Sequence, residues 1–231
     1  MPSGEIRNGI RTPAGLFVSF EGGEGVGKST QIEKLRHRFG GLGHSVTVTR
    51  EPGGSCKAED IRRILLSGYA KRFGPLAETA LFTAARSDHV EQLIAPALAR
   101  RGVVLCDRFT DSTRVYQGVA AGLPAALIER LERIATRGLR PDLTLILDLP
   151  AETGLARADA RRGASHARAD RFEGEGLAYH RRVRQAFLDI ADREPDRCAV
   201  IDATPSAEAV ADEIWSVVTL RLSLGEPAHV G

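Results

Sequence analysis

A glycine-rich loop that ends in a lysine and a hydroxyl residue is the strongest chemical signal in this sequence. Residues 22–29 fit the spacing G-x-x-x-x-G-K-[ST]. In such a loop the glycines let backbone N–H groups turn toward an anion, the lysine reaches the outer phosphates, and the hydroxyl can bind Mg²⁺. The spacing therefore predicts a nucleoside triphosphate site. The residues predicted to bind the triphosphate are Gly22, Gly23, Glu24, Gly25, Val26, Gly27, Lys28, Ser29 and Thr30, with Lys28 also catalytic and Ser29 also a metal ligand.

The segments on either side of the loop predict the strand and the helix that would position it. Leu16–Phe20 is an apolar run that predicts a strand, and Lys28–Phe39 has apolar residues on one side, which is typical of an amphipathic helix. Strand and helix signals alternate along the rest of the chain. The other predicted strands are Ser45–Thr49, Val103–Cys106, Leu143–Leu147 and Cys198–Ile201. The other predicted helices are Glu59–Leu66, Leu76–Arg100, Pro124–Thr136, Ala151–Arg161, Glu175–Asp192 and Ser206–Leu222.

This alternation predicts an α/β fold, because strands separated by helices form parallel sheets with helices on both faces. The strands are rich in Val, Leu and Ile and lack polar alternation, as expected for a sheet buried on both sides. We therefore expect a three-layer sandwich around a five-stranded parallel sheet, in one domain over residues 16–222. Residues 1–15 are predicted to form a flexible N-terminal extension, and residues 223–231 a C-terminal tail.

An acidic residue at a strand end is the second candidate metal ligand. Ligands in parallel sheets bind beyond the carboxyl ends of the strands. Asp107 directly follows one predicted strand, and in proteins with a loop of this kind an acidic residue at such a position helps to hold Mg²⁺. A turn or cap is the alternative role for Asp107. Asp148 follows another strand, but Pro150 and the next helix favour a turn or capping role there.

Five arginines lie close together between residues 157 and 171. They are Arg157, Arg161, Arg162, Arg168 and Arg171. Small residues such as Gly163 and Ser165 interrupt the helical pattern, which indicates a mobile segment. A mobile basic segment could close over a transferring phosphate as a lid, over about residues 157–172. A solvated charged helix is the alternative interpretation.

Two further groups of residues suggest contacts with a second substrate. Arg50 stands at a strand end before the tight turn of TREPGG (49–54), where it could bind a phosphate or form a surface ion pair. Phe82 and Arg86 are four residues apart, so they share one face of a helix. Phe82 alone would be typical of a core position. With Arg86 beside it, the pair indicates a stacking ring and a donor directed at a base edge.

Composition argues against several classes of protein. The chain has 231 residues, a net charge of +2 and no apolar run near the ~18 residues that a membrane span requires. We therefore expect neither a nucleic-acid nor a membrane partner. Cys56, Cys106 and Cys198 are odd in number and far apart, so neither a disulfide framework nor a zinc site is predicted, and a reducing cytoplasm fits best.

Six segments together resemble the bacterial thymidylate kinases, a family of P-loop nucleoside monophosphate kinases. In chain order they are FEGGEGVGKST (20–30), TREPGG (49–54), LFTAAR (81–86), DRFTDSTRVYQG (107–118), PDLTLILDLP (141–150) and DRFE (170–173). The resemblance spans roughly residues 16–220, and TREPGG together with DRF…YQG is far more specific than the P-loop alone. It implies transfer of the γ-phosphoryl of ATP to dTMP, with Mg²⁺, in a cytoplasmic homodimer.

The resemblance also implies roles for single residues. Lys28 and the P-loop would hold the phosphates of ATP. The implied acceptor contacts are Glu24 to the sugar 3′-hydroxyl, Arg50 and the catalytic Arg108 to the phosphate, Phe82 and Arg86 to the face and O4 of thymine, and Thr113 and Gln117 to its polar edge. Gly25 matches the bacterial subtype, which takes the arginine for the γ-phosphate from the lid. For that arginine we predict Arg162 and Arg168.

One short stretch departs from the family pattern. Many relatives continue after TREPGG with Thr/Ser-Pro-Leu-Gly-Glu, whereas this chain reads Ser-Cys-Lys-Ala-Glu over residues 55–59 and places Lys57 in an apolar slot. Three other functions stay open: another pyrimidine nucleotide or deoxynucleoside kinase, an ATP-binding regulator, and a homologue that binds nucleotide without turnover. Only the last of these is suggested by the departure at residues 55–59. The acceptor contacts argue against the regulator, because a switch protein has no acceptor-phosphate site.

Overall fold

A parallel sheet of five strands lies at the centre of the computed structural model, which describes residues 6–7, 10–11, 15–165 and 175–222. The strands are β3 (Leu16–Glu21), β4 (Val46–Arg50), β5 (Val103–Asp107), β6 (Leu143–Asp148) and β7 (Cys198–Asp202). Their spatial order is β4-β5-β3-β6-β7, and every neighbouring pair is parallel. All five predicted strands are confirmed to within one residue at each end. Ahead of the sheet, β1 (Ile6–Arg7) and β2 (Ile10–Arg11) pair antiparallel.

Helices follow the strands as the alternation predicts. They are α1 (Lys28–Gly41), α2 (Cys56–Leu66), α3 (Gly74–His89), α4 (Ala95–Ala99), α5 (Thr110–Thr113), α6 (Ala125–Thr136), α7 (Ala151–Ser165), α8 (Leu177–Arg193) and α9 (Ala207–Arg221). A 3₁₀ segment covers Tyr69–Phe73, and π segments cover Val90–Ile94 and Arg114–Ala120. The first π segment joins α3 to α4, so the predicted long helix is present with one wider turn inside it.

Three of the departures from the predicted helices are informative. α2 begins at Cys56 rather than Glu59, because Ser55 is extended and its carbonyl accepts the N–H of Glu59. α7 runs on to Ser165, so the small residues do not end it at Arg161. The helical stretch 110–120 was not predicted, because its sequence lacks a clear apolar period. Packing of Val115 and Tyr116 against α8 stabilises this stretch instead.

The two faces of β3 show how the layers are held together. Leu16, Val18 and Phe20 pack in the cluster that includes α1 and α9. Phe17 faces the opposite side, against Val90 and other residues of the α3–α4 layer. Both faces are buried, which explains why most of the strand is apolar and confirms the three-layer α/β sandwich.

The carboxyl ends of β3, β5 and β6 lie side by side and carry Glu21, Asp107 and Asp148. The loop 22–27 leaves from this edge, and α1 begins at Lys28. The part of the predicted lid from residue 166 on, with Arg168 and Arg171, and the tail 223–231 lie outside the described residues. Among the helices that the structure describes, none combines the length and the apolar character that a membrane crossing requires.

Candidate active site

The loop between β3 and α1 has the geometry of an anion site. Gly27 adopts a left-handed conformation (φ 94°), and no side chain caps the N-terminus of α1, so its first N–H groups are open to a phosphate. The Lys28 side chain is buried, and its Nζ donates to the carbonyls of Gly22 (3.2 Å) and Gly23 (2.9 Å). Burial and the charge of Arg108 lower the pKa of Lys28. The lysine is therefore held inside the loop, where it can meet the outer phosphates.

Gly25 is fixed by a close contact with α7. Its φ is +68°, and a Cβ added there would overlap the carbonyl oxygen of Gly154. No arginine can therefore stand at position 25 without a shift of α7. On the same helix Arg162 forms an ion pair with Asp159.

Ser29 and Asp107 form a small oxygen cluster beside the loop. Ser29 Oγ donates to Asp107 Oδ2 at 3.2 Å, and Asp107 Oδ1 is buried with no hydrogen-bond partner among the described residues. Asp148 is not available in the same way, because both of its oxygens accept from the Arg184 guanidinium, at 2.7 and 2.8 Å. A hard cation such as Mg²⁺ prefers oxygen ligands and retains several waters or phosphate oxygens, so the pair Ser29–Asp107 fits it.

Next to the loop, an open cavity lies between the P-loop and α3. It brings together six of the seven predicted acceptor residues, which are Glu24, Phe82, Arg86, Arg108, Thr113 and Gln117. Arg50 does not line the cavity. Its guanidinium pairs with Glu59 of α2 at 3.1 Å, and the side chain is about half exposed.

Arg86 is clamped in one orientation at the wall of this cavity. Its Nε donates to Glu51 Oε2 (2.7 Å), and its Nη2 donates to the carbonyl of Phe109 (3.0 Å) and to Thr113 Oγ1 (2.9 Å). The guanidinium also stacks on the Phe109 ring, with Cζ 5.3 Å from the centroid. Nη1 has no partner among the described residues and is the nitrogen left for a ligand. Thr113, which was expected to face the polar edge of the base, thus also holds Arg86 in place.

Arg108 connects the cavity to the P-loop. Its Nη2 donates to Glu24 Oε1 at 2.6 Å, and its Nη1 donates to the carbonyl of Gly22 at 3.1 Å. Arg108 has a left-handed backbone (φ 69°), which costs about 1–2 kcal/mol in a residue with a side chain. The hydrogen bond from its own N–H to the Phe20 carbonyl (2.9 Å) holds that turn. The turn directs the side chain back over the loop.

Glu21 holds the residues that follow Arg108. Its carboxylate accepts from the N–H of Phe109 (2.7 Å) and from the hydroxyl of Ser112 (2.6 Å). Burial, together with the nearby Asp111, raises the pKa of Glu21 to about 7. This buried carboxyl therefore fixes the DRF turn and titrates near neutral pH.

The loop that departs from the family pattern, residues 55–59, lies outside the cavity lining. The Lys57 side chain is 83% exposed and lies 4.0 Å from Asp88. Ser55 donates to the same carboxylate at 2.6 Å. The apolar slot expected at Lys57 is therefore a solvent-facing position, and Lys57 is not among the residues that line the cavity.

Comparisons with known proteins agree with this geometry. The model of the family described as thymidylate kinase matches residues 20–214. A thymidylate kinase of Caulobacter vibrioides is 57% identical over 210 residues, which cover 91% of this chain and 99% of the relative. One of Afipia carboxidovorans is 53% identical over 219 residues, with 95% of both chains covered.

The chain belongs to the thymidylate kinase family. Its fold matches the crystal structure of a thymidylate kinase from Ehrlichia chaffeensis with a TM-score of 0.72 at 32% identity, over 89% of this chain and all of that one. Membership makes the chain a phosphotransferase and confirms the resemblance seen in the sequence.

Two residues that shape this candidate site were missed by the sequence reasoning. Glu51 clamps Arg86, and the Tyr116 ring stacks on Arg108 at 5.1 Å. Glu51 and Tyr116 stand inside motifs that were quoted, TREPGG and DRF…YQG, so the motifs contained the signal. Glu21, which holds the DRF turn, is a charged residue at the end of a mostly apolar strand, a position that marks it as a candidate functional residue.

Proposed function

We propose that this chain transfers the γ-phosphoryl group of ATP to the 5′-phosphate of dTMP, giving ADP and dTDP. The observation that carries the proposal is the adjacency of two anion sites. Lys28 in the P-loop and Arg108 at the cavity both bond to the carbonyl of Gly22, at 3.2 and 3.1 Å. Two phosphates bound by these cations would be neighbours, as in-line transfer requires.

The acceptor phosphate is already anionic at neutral pH, so the reaction needs no strong general base. Arg108 lowers the repulsion between the two phosphates, and Lys28 stabilises the charge of the moving phosphoryl group. Ser29 and Asp107 would hold Mg²⁺, which neutralises phosphate charge when bound. The lid would exclude water and supply an arginine, for which Arg162 and Arg168 remain our candidates.

The cavity selects the base in this proposal. Phe82 offers an aromatic face, and Nη1 of Arg86 offers a donor that suits a carbonyl such as O4 of thymine. Gln117 supplies a further polar group that is buried in the same wall. A buried donor left unpaired by the wrong base costs binding energy, so the cavity would discriminate by hydrogen bonding.

The proposal extends to assembly and location. Leu76, Ala80 and Ala84 are exposed along α3, and Ile134 is 69% exposed on the neighbouring α6. An apolar surface of this kind suits a homodimer in which these helices meet, and sedimentation velocity tests it. The three cysteines are free, which suits a reducing cytoplasm.

A coupled ADP-release assay tests the activity. Purified protein receives Mg-ATP with dTMP, dUMP, UMP, CMP, dCMP, AMP, GMP or thymidine in separate reactions. We expect strong turnover with dTMP, weaker turnover with dUMP and negligible turnover with the others. Preference for another acceptor would be consistent with the proposed phosphoryl transfer but would contradict the proposed contacts with the base. Absence of turnover in protein that still binds ATP would overturn the proposal.

A further inference from the structure

From Arg86 and Glu51, which both line the cavity, a row of buried side chains continues the hydrogen bonds into the protein interior. Glu51 accepts from Arg86 Nε through Oε2 (2.7 Å) and contacts His89 Nδ1 through Oε1 (3.1 Å). His89 Nε2 lies 2.7 Å from Thr49 Oγ1. None of these four residues is more than 8% exposed. The row therefore runs through the protein interior from the cavity wall to the end of β4.

The chemistry of the row fixes the His89 ring. Burial raises the pKa of Glu51, but the charge of Arg86 and the hydrogen bond from His89 outweigh it, and the pKa lies below its ordinary value. An ionised carboxylate only accepts, so Nδ1 of His89 carries a proton and donates to it. Nε2 then accepts from the Thr49 hydroxyl in the neutral ring or donates to it in the charged ring. Both ring nitrogens are bonded in either case, so the ring cannot rotate freely.

The glycine turn of TREPGG closes over the far end of the row. Gly54 has a φ of +89°, and a Cβ added there would overlap both His89 Nε2 and Thr49 Oγ1. The Gly54 N–H donates to Glu59 Oε1 at 2.9 Å, which anchors the turn on α2. The His89–Thr49 contact is thus enclosed by backbone that has no room to move inward.

We propose that His89 is a positioning residue for Arg86, and that through Glu51 it fixes the direction in which Nη1 meets the acceptor base. Without the bond from Nδ1, Oε1 of Glu51 loses its donor, and the carboxylate can turn and carry the guanidinium with it. Nη1 would then no longer favour a carbonyl at position 4 of the pyrimidine over the amino group that cytosine carries there. This inference rests on the proposed function, because it assumes that the base lies against Nη1.

The test compares the KM for dTMP with the inhibition constant of dCMP in three variants. In His89→Leu the KM for dTMP should rise by about 10-fold or more, as for a buried group left unpaired. The inhibition constant of dCMP should change by less than about threefold, and the KM for ATP by less than about twofold. His89→Asn can still offer an N–H to Glu51, so it should keep most of the wild-type preference for dTMP over dCMP. For Thr49→Val, the preference for dTMP over dCMP should lie between those of wild type and His89→Leu.

Thr79→Val is the matched control. Thr79 is fully buried on the same helix as His89, and its hydroxyl donates to the Pro75 carbonyl (2.7 Å), away from the row. A loss of one buried hydroxyl there should leave the ratio of dTMP to dCMP affinity as in wild type. The inference is overturned if Thr49→Val and Thr79→Val give the same ratio of dTMP to dCMP affinity. It is also overturned if His89→Leu weakens the binding of dTMP and dCMP equally.

Two outcomes separate this inference from the proposed function. A wild-type protein that prefers dTMP, with a base preference that none of the variants alters, overturns the positioning role alone. A wild-type protein that fails to use dTMP overturns the proposed function and the inference with it. Should His89→Leu fail to fold by circular dichroism, Thr49→Val decides the matter, because it keeps the ring and removes only one hydroxyl.

Discussion

Arg108 and Glu24, which were predicted to hold the phosphate and the sugar of one nucleotide, are bonded to each other at 2.6 Å. Burial raises the pKa of Glu24, but Arg108 and Lys28 outweigh it, so the carboxyl pKa lies below its ordinary value. The pair places the guanidinium over the P-loop before any substrate is bound. If Arg108 binds the acceptor phosphate as proposed, that phosphate would share the guanidinium with Glu24, and the two proposed roles would be coupled.

Replacement of Arg108 by alanine should damage acceptor use far more than ATP binding. We expect kcat/KM for dTMP to fall by at least ~10²-fold, because the cation that joins the two anions is lost. Steady-state kinetics with each substrate varied in turn measures this. Arg137→Ala is the control, since Arg137 is exposed and pairs with Glu91, away from the cavity lining. An equal loss for both substrates would contradict the role.

Lys28→Ala should abolish transfer and leave the fold intact. The ammonium group meets the phosphates from inside the loop, and no other lysine bonds to the P-loop carbonyls in the described part of the chain. Activity assays and circular dichroism of the same preparation measure the two effects. Lys34→Ala, which removes an outward lysine paired with Glu208, should stay active. Appreciable transfer by Lys28→Ala would show that the loop acts through its backbone alone.

Asp107→Asn should raise the Mg²⁺ concentration needed for half-maximal activity. The substitution keeps the shape of the side chain and removes the negative charge that a hard cation prefers. A Mg²⁺ titration at saturating ATP and dTMP measures the shift. Asp148→Asn serves as the comparison, because the carboxylate of Asp148 is already held by Arg184. If the Asp148 variant alone shifted the titration, the metal would belong to the other strand end.

The predictions that succeeded rest on local rules, and the gaps concern contacts distant in sequence. The P-loop and the five strands follow from spacing and apolar runs, which are properties of short segments. Arg50 illustrates the gap, because the sequence places it at a strand end but cannot show that Glu59, nine residues on, pairs with it. The partnership of Arg86 with Glu51 also joins two separate elements.

The stretch 110–120 shows the same gap at the level of secondary structure. Its β-branched and polar residues give no helical period, and Val115 becomes helical because α8 offers it an apolar surface. Helix α7, which continues past its predicted end at Arg161 to Ser165, is a second case in which the local sequence pattern misleads. A single Gly163 costs a helix about 1 kcal/mol, too little by itself to end it.

Joint replacement of Arg162 and Arg168 by alanine should lower kcat and leave dTMP affinity nearly unchanged. A lid arginine acts on the transferring phosphoryl group, so its loss should appear in the transition state rather than in acceptor binding. Pre-steady-state transfer rates and dTMP titration measure the two quantities separately. Arg181→Ala, an exposed arginine paired with Glu152, is the control. A collapse of dTMP affinity would mean that these arginines bind the acceptor instead.

The buried Glu21 should make stability fall as pH rises toward neutrality. Its pKa is about 7 in the folded protein against an ordinary 4.5, so the folded state binds the proton more tightly. Between these two values the unfolded chain has lost a proton that the folded chain keeps, and each rise in pH therefore favours unfolding. The cumulative loss is on the order of 3 kcal/mol and levels off above about pH 7.

Glu21→Gln isolates this contribution, because the amide resembles the protonated carboxyl and does not titrate. Urea unfolding of both proteins at pH 5, 6, 7 and 8 gives the difference in free energy of unfolding. We expect wild type to lose stability relative to Glu21→Gln as pH rises through this range, since its carboxylate must ionise while buried beside Asp111. A difference that stays constant with pH would show that Glu21 has the same pKa in the folded and unfolded states.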